Sequence, residues 1–148
     1  MSVSAVHPSE ALLTAIYDAL KADATLRTLI ETYRGGPAPN PLPIYESAAP
    51  PDEPFPYLTF NEAADTDWDV SEAYGRELLI DLHAWTLTGS SLQARRLLRR
   101  CELLLRDQAL TMADANLVHL RAASIRTAVE DGTIRHGTLT LRAIVEEL

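Results

Sequence analysis

Residues 75–106 contain two hydrophobic periods in direct succession, and this limits the possible folds more than any other feature. Between residues 75 and 85 the side chains alternate, with Leu78, Ile80 and Leu82 on one face, which predicts a half-buried strand. From residue 91 to 106 apolar side chains recur at helical spacing, which predicts an amphipathic helix capped by Ser90 or Ser91. A strand that leads directly to such a helix indicates an α+β domain and carries no chemistry by itself.

The charge of the chain is unevenly distributed. The net charge is −8, but residues 1–75 carry 3 basic and 12 acidic side chains, whereas residues 76–148 carry 10 basic and 9 acidic ones. A protein whose main task is to bind duplex phosphates is usually basic, so we expect no specific DNA binding. Two interpretations of the asymmetry remain open. One is an acidic surface with one arginine-lined helix, and the other is a head-to-tail assembler whose acidic patch meets the basic patch of the next copy.

Length and composition predict one domain over residues 1–148. The chain has 148 residues, of which 47% are hydrophobic, enough for a real core. Its apolar runs are shorter than the roughly 20 residues that span a bilayer, and its N-terminus does not resemble a secretory signal. The single cysteine, Cys101, lies on the apolar stripe of the predicted helix. We therefore expect a buried thiol in a cytoplasmic protein without disulfides or membrane contact.

The remaining elements follow from capping and turn residues. A first helix is predicted to open near Pro8, and Asp23 to cap a second short helix. Eight of the nine prolines lie between residues 37 and 56, which excludes a helix there and leaves room for a short edge strand over residues 42–46. Strands are predicted to start near Pro56 and to occupy residues 117–127 and 133–146.

The predicted fold class is α+β, with a mostly antiparallel sheet of about four strands and two main helices packed on one face. A long Pro-rich loop and an acidic hairpin arm complete it. The arm follows the strand that starts near Pro56, and it carries five acids in eleven residues. Four of these are candidate arm or pore residues, namely Asp65, Asp67, Asp69 and Glu72.

The chain offers little for catalysis or cofactor binding. Asp81 and His83 lie two residues apart on one strand face, so they could form a base with its orienting group or half a metal site. A polar patch on the outer sheet face is the simpler interpretation. The acids from Asp65 to Asp69 superficially match the start of a calcium loop, but Val70 stands where that loop requires glycine. We expect no enzyme activity, catalytic residue, metal or cofactor.

The order of packing motifs resembles a family of small tail-completion proteins of phages, prophages and gene transfer agents, catalogued as a domain of unknown function. The resemblance spans residues 9–147. The motifs that carry it are an opening helix over residues 12–20 followed by Ala22 and Asp23, the Ile44-Tyr45 pair, the strand start at residues 56–59, the strand end at residues 83–85 before a helix from Ser90 or Ser91, and the closing strand at residues 137–141.

The resemblance implies a structural protein similar to the tail terminators of long-tailed phages. Such a protein would form a ring, expected to be hexameric, that caps the tail tube, stops its polymerisation and presents a surface to the head connector. The implied partners are further copies of the chain, the tail tube protein and the connector, with DNA passing through without specific binding. It would assemble in the bacterial cytoplasm and end in the particle. The alternatives are a head–tail adaptor or neck protein and a small cytoplasmic α+β binding domain.

Within this expectation, two groups of side chains have hypothetical roles. Acids of the arm would line the pore and repel the DNA phosphates, so that DNA slides through. The arginines on the flanks of the helix over residues 91–106 would contact acids of a neighbouring subunit. These candidate subunit-interface residues are Arg95, Arg96, Arg99 and Arg100.

Overall fold

A computed structural model describes residues 7–69, 74–88, 90–107 and 110–147 of the chain. These residues form helices α1 (Pro8–Lys21) and α2 (Ala24–Arg34), strands β1 (Ile44–Glu46), β2 (Tyr57–Asp67) and β3 (Gly75–Leu87), helix α3 (Leu92–Asp107), and strands β4 (Ala115–Asp131) and β5 (Ile134–Glu147). The α+β prediction is confirmed. Among the described residues, every helix is too short or too polar to cross a bilayer.

The sheet is mixed and has the strand order β1-β2-β3-β5-β4. β1 pairs with β2 in parallel, and the other neighbours pair antiparallel. The prediction of about four strands and two main helices is therefore wrong in its counts, because five strands and three helices are present among the described residues. The strand of three residues between prolines and the helix of 11 residues were both indicated by the sequence, but each is a full member of the fold.

The three helices cover one face of the sheet, which we call the inner face. Strand β3 alternates as predicted, and its inner-facing side chains Leu78, Ile80 and Leu82 are fully buried in the core cluster. Helix α1 packs against β2 and β3, whereas α3 packs against β3, β5 and β4. The two helices therefore divide the inner face between its β1 side and its β4 side.

Local signals place the helix ends where the sequence predicts them. Pro8 occupies the first turn of α1, where its missing N–H has no cost. The Asp23 carboxylate accepts a hydrogen bond from the backbone N–H of Leu26 at 2.8 Å and caps α2. At the start of α3, the hydroxyl of Ser90 accepts a hydrogen bond from the N–H of Leu92 at 3.1 Å.

Side chains of α2 fasten the Pro-rich segment to the domain. Arg34 donates to the carbonyls of Pro54 at 2.8 Å and Pro56 at 3.1 Å. Arg27 donates to the carbonyl of Ala38 at 3.2 Å, and Glu31 accepts from the N–H of the same residue at 2.9 Å. Because most of this segment lies outside a regular strand, these charged side chains supply backbone hydrogen bonds that a strand ladder would otherwise make.

Candidate interaction surfaces

Three of the four candidate arginines form an exposed row on α3. The helix buries Ala94, Leu97 and Leu98 against the sheet, which leaves the side chains of Arg95, Arg96 and Arg99 in solvent. Arg95 also donates to the hydroxyl of Thr127 at 3.4 Å, so this end of the row lies over β4, against which α3 packs. Arg99 bonds only to Glu102 of its own helix within the described residues. We call Arg95, Arg96 and Arg99 the arginine row.

Arg100 differs from the arginine row because it is paired within the chain. Its guanidinium donates two hydrogen bonds to the Asp23 carboxylate, at 2.8 and 2.7 Å. These bonds lower the pKa of Asp23 below its ordinary value, although burial opposes the shift. Arg100 therefore joins α3 to the start of α2 and is the least available of the four for a neighbour.

The neighbouring Cys101 is buried in the core, as predicted. Burial raises the pKa of its thiol to about 12. A thiol with that pKa stays protonated at neutral pH, so the buried position of Cys101 does not support a nucleophilic role.

The arm consists of the paired ends of β2 and β3. Arg76 donates to the Asp65 carboxylate at 2.8 Å and also bonds to Asp67. Asp65 contacts His7 as well, at 3.3 Å, while Asp67 is 75% exposed. Asp69 accepts from the N–H of Gly75 at 3.1 Å. The fourth candidate acid, Glu72, lies outside the described residues.

Two exposed aromatic side chains lie directly beyond the paired ends of β2 and β3. Trp68 and Tyr74 are 45% and 72% exposed, and with Val118 of β4 they line a shallow depression. The guanidinium of Arg142 lies 5.4 Å from the centre of the Trp68 ring, and Glu77 accepts from Arg142 at 2.7 Å. The tryptophan is therefore held in place although nearly half of it faces solvent.

Asp81 and His83 lie on the outer face of the sheet, but they do not act on each other. Asp81 accepts from the hydroxyl of Thr140 at 2.6 Å. His83 bonds through Nδ1 to His136 at 2.7 Å and through Nε2 to Asn61 at 2.8 Å. Burial, assisted by His136, lowers the pKa of His83.

The outer-face network has the ring nitrogens of both histidines occupied by neighbouring side chains. His136 stacks on the indole of Trp85 at 3.9 Å and bonds to Glu130 at 2.7 Å. Among the described residues, no group of three or more His, Cys, Asp or Glu side chains is placed to hold a metal ion. The sequence did not indicate His136 or Asn61, because the pairing of strands far apart in the chain brings them to His83.

A groove on the β1 side of the inner face was not indicated by the sequence. One wall is the helical stripe of α1 that contains Glu10, Leu13, Thr14 and Tyr17, and the other is formed by β1 and β2. The cavity measures about 510 Å³. Its floor is apolar and aromatic, and the rings of Tyr17 and Phe60 lie 6.1 Å apart.

The rim of this groove is acidic. Glu10 stands on α1, Glu46 on β1 and Glu62 on β2, and all three side chains are exposed. Glu46 pairs with Phe60 in the sheet, and Glu62 lies two residues further along β2, so both point to the inner face. In the described part of the chain none of the three makes an ion pair. We call this site, with its three glutamates, the acidic groove.

Comparisons with known proteins identify the fold. The family model of tail completion protein gp17 matches residues 14–146. A chain from the virion of a native gene transfer agent particle is 25% identical, with a TM-score of 0.76, and the match covers 93% of this chain and 96% of that one. The gp17 protein of bacteriophage SPP1 has the same fold at 20% identity and a TM-score of 0.57, with coverage of 91% and 88%. No curated protein matches the sequence.

Proposed function

Because the chain belongs to the tail completion protein gp17 family of phages and gene transfer agents, we propose that it is the tail terminator of such a particle. Copies of the chain form a ring on the end of the tail tube, stop its polymerisation and present a surface for the head connector. The observation that carries the proposal is the similarity, over 93% of the chain, to a chain of a gene transfer agent virion. Assembly takes place in the bacterial cytoplasm, and the protein ends in the particle.

The charge layout of the fold supports a ring. The acidic groove and the arginine row lie towards opposite edges of the sheet, so the surfaces offered to two neighbours differ. Contacts between unlike surfaces are head-to-tail, and they generate a closed ring when the rotation between copies closes. A structural role of this kind requires no catalytic residue, which agrees with a family of structural tail proteins.

The test is the effect of the protein on purified tail tubes. Particle mass is measured by light scattering over a wide concentration range, and the same samples are imaged by negative-stain microscopy with and without tubes. We expect rings, or density added at one end of tubes whose growth then stops. A protein that ignores tubes and leaves their length uncontrolled contradicts the proposal. Binding to the connector without an effect on tubes indicates a head–tail adaptor instead.

The arginine row provides a second, independent measurement. We propose that Arg95, Arg96 and Arg99 contact acids of the neighbouring subunit, with Arg100 holding α3 in place. Reversal of the row to glutamate is expected to weaken ring formation, and the wild-type ring should weaken as salt rises from about 0.1 to about 1 M, because the Debye length falls from about 10 to 3 Å. Ring formation that is insensitive to both changes shows that these arginines are ordinary solvated charges.

A further inference from the structure

We infer that the acidic groove is the acceptor for the arginine row of a second copy of this chain. The inference rests on the proposed ring and names the two surfaces that meet in it. Three exposed glutamates surround the groove, and three exposed arginines form the row. The two surfaces therefore carry equal numbers of charges of opposite sign.

The groove is built to receive the end of a long cationic side chain. Its lining combines the apolar and aromatic side chains of Leu13, Ile44, Phe60 and Tyr17 with the three exposed glutamates. An arginine can place its methylene stem and planar guanidinium against aromatic carbon while it donates to carboxylates. The cavity of about 510 Å³ is large enough for more than one such side chain.

The two surfaces cannot meet within one copy. The groove is formed by β1, β2 and α1, whereas Arg95 contacts Thr127 of β4. β1 and β4 are the two edges of a five-stranded sheet and are separated by four strand intervals, or about 19 Å. Both surfaces lie on the inner side of the sheet. The β4 edge of one copy can therefore approach the β1 edge of the next without turning over, and the same contact repeats around a ring.

Charged side chains near each surface are paired within the chain, which distinguishes the three glutamates of the groove from their surroundings. Arg100 is bound to Asp23, Arg34 to Glu53, and Arg76 to Asp65. The three glutamates of the groove lack such a partner in the described residues. Within the row, Arg99 contacts Glu102 of its own helix, whereas Arg95 and Arg96 make no ion pair in the described residues. Complementary exposed charges at opposite edges of one molecule are the arrangement expected of a head-to-tail interface.

The experiment is a charge exchange between the two surfaces. One variant carries Glu46→Arg and Glu62→Arg, and the other carries Arg95→Glu and Arg99→Glu. Each variant alone places like charges at every contact, so we expect the fraction of tail tubes with a terminal ring to fall about tenfold or more. An equimolar mixture should recover ring formation, because the reversed groove accepts the reversed row and the native groove accepts the native row. Recovery is complete for a ring with an even number of subunits.

Matched controls change the same charges elsewhere. Asp18→Arg with Glu147→Arg replaces two exposed acids outside the groove, and Arg121→Glu with Arg126→Glu replaces two exposed arginines on the outer side of β4. Both control proteins should form rings as the wild type does. Circular dichroism melts verify the folding of every variant. If the groove reversal does not fold, Glu46→Gln with Glu62→Gln should still reduce ring formation and its dependence on salt.

The outcomes separate the inference from the proposed function. If the wild type forms rings and either reversed variant forms them equally well, the inference is wrong and the terminator proposal is unaffected. Failure of the mixture to recover, with both controls normal, also overturns it. Normal free rings from the groove variant that no longer attach to tubes assign the groove to the tube protein instead. If the wild type forms no rings on tubes, the proposed function and the inference both fall.

Discussion

At the scale of single residues, Asp23 has two structural roles. One oxygen of its carboxylate accepts the N–H of Leu26 at 2.8 Å and so caps α2. Both oxygens accept from Arg100 of α3, at 2.8 and 2.7 Å. Because Asp23 caps α2 and also binds Arg100, it joins α3 to α2 and makes Arg100 part of the fold. The neighbouring arginine row remains in solvent.

We predict that Asp23→Asn lowers the free energy of unfolding by about 1–3 kcal/mol at neutral pH, because the amide can still cap α2 but loses the ion pair. The pKa of Asp23 is lowered in the folded state, so its contribution is present above the ordinary pKa of 3.8 and is lost as the pH falls through the lower folded value. Urea denaturation at several pH values between about 7 and 3 should show the variant approaching the wild type at the acidic end.

The control for this prediction is Asp18→Asn, which removes an exposed carboxylate paired with Lys21 three residues away. Exposed pairs of this kind contribute about 0.5 kcal/mol or less, so the control should be nearly neutral at every pH. A deficit of Asp23→Asn that stays constant down to the lowest pH would show that the charge of Asp23 has no part in it.

At the scale of elements, the contact between α3 and β5 depends on Gly137. A Cβ atom at this position would lie 2.8 Å from Cδ1 of Leu98 and 3.2 Å from Cβ of Ala94. Leu98 is fully buried, so its methyl group has little room to move away. The glycine thus allows the helix to approach the sheet, and the arginine row is held over β4 as a consequence.

We predict that Gly137→Ala lowers the free energy of unfolding by about 1–3 kcal/mol, since the added methyl group overfills a packed core. Chemical denaturation measures the change. The matched control is Gly36→Ala, where a Cβ would meet nothing within 4 Å, and its stability should be unchanged or slightly higher. A stability of Gly137→Ala equal to that of the control would show that the core accommodates the methyl group and that the contact with α3 does not require glycine.

The Pro-rich segment is the second case in which side chains of a helix position another element. Arg34 donates to Pro54, Pro56 and Glu53, and only 11% of its side chain is exposed. We predict that Arg34→Met lowers the free energy of unfolding by about 1–3 kcal/mol and speeds limited proteolysis within residues 37–56, because the carbonyls lose their donor. Arg34→Lys should not restore resistance, since an ammonium cannot reproduce the planar fork.

The control is Arg96→Met, which removes an exposed arginine with no ion pair in the described part of the chain. Its proteolysis pattern and stability should match those of the wild type. Protection of the segment in Arg34→Met would mean that the packing of Leu42 and Ile44, both buried, holds it without the guanidinium.

The accuracy of the sequence-based predictions depended on the range of the interactions involved. The β3–α3 succession, the cap at Asp23 and the buried Cys101 follow from neighbouring residues and are confirmed. The parallel pairing of β1 with β2 is set by contacts that periodicity does not report, and β1 offers only three residues of pattern. The acidic groove could not be predicted from the sequence for the same reason, because it requires α1 to face strands that begin more than 20 residues later.

At the scale of the whole molecule, the arm and the groove divide the acidic half of the chain between two roles. Arg76 neutralises part of the negative charge of the arm, since it binds both Asp65 and Asp67. The glutamates of the groove have no basic partner of this kind in the described residues. We therefore assign the attraction between subunits to the groove, and we propose that the arm acts on DNA by repulsion alone.

The last prediction tests that division. We predict that Asp67→Asn, Asp69→Asn and Glu72→Gln together leave ring mass unchanged and slow the passage of DNA through assembled particles, because fewer fixed negative charges repel the phosphates. Asparagine at position 69 can still accept the N–H of Gly75. Asp65 is kept because it is mostly shielded from solvent and contacts both Arg76 and His7, whereas Asp67 is largely exposed. Light scattering measures the mass of the ring, and the rate of DNA release from filled particles measures the passage of DNA.

The slowing of DNA release should be strongest at low salt, where the Debye length is greatest. Loss of rings would make the arm a subunit interface, and unchanged release at all salt concentrations would place these acids away from the path of the DNA.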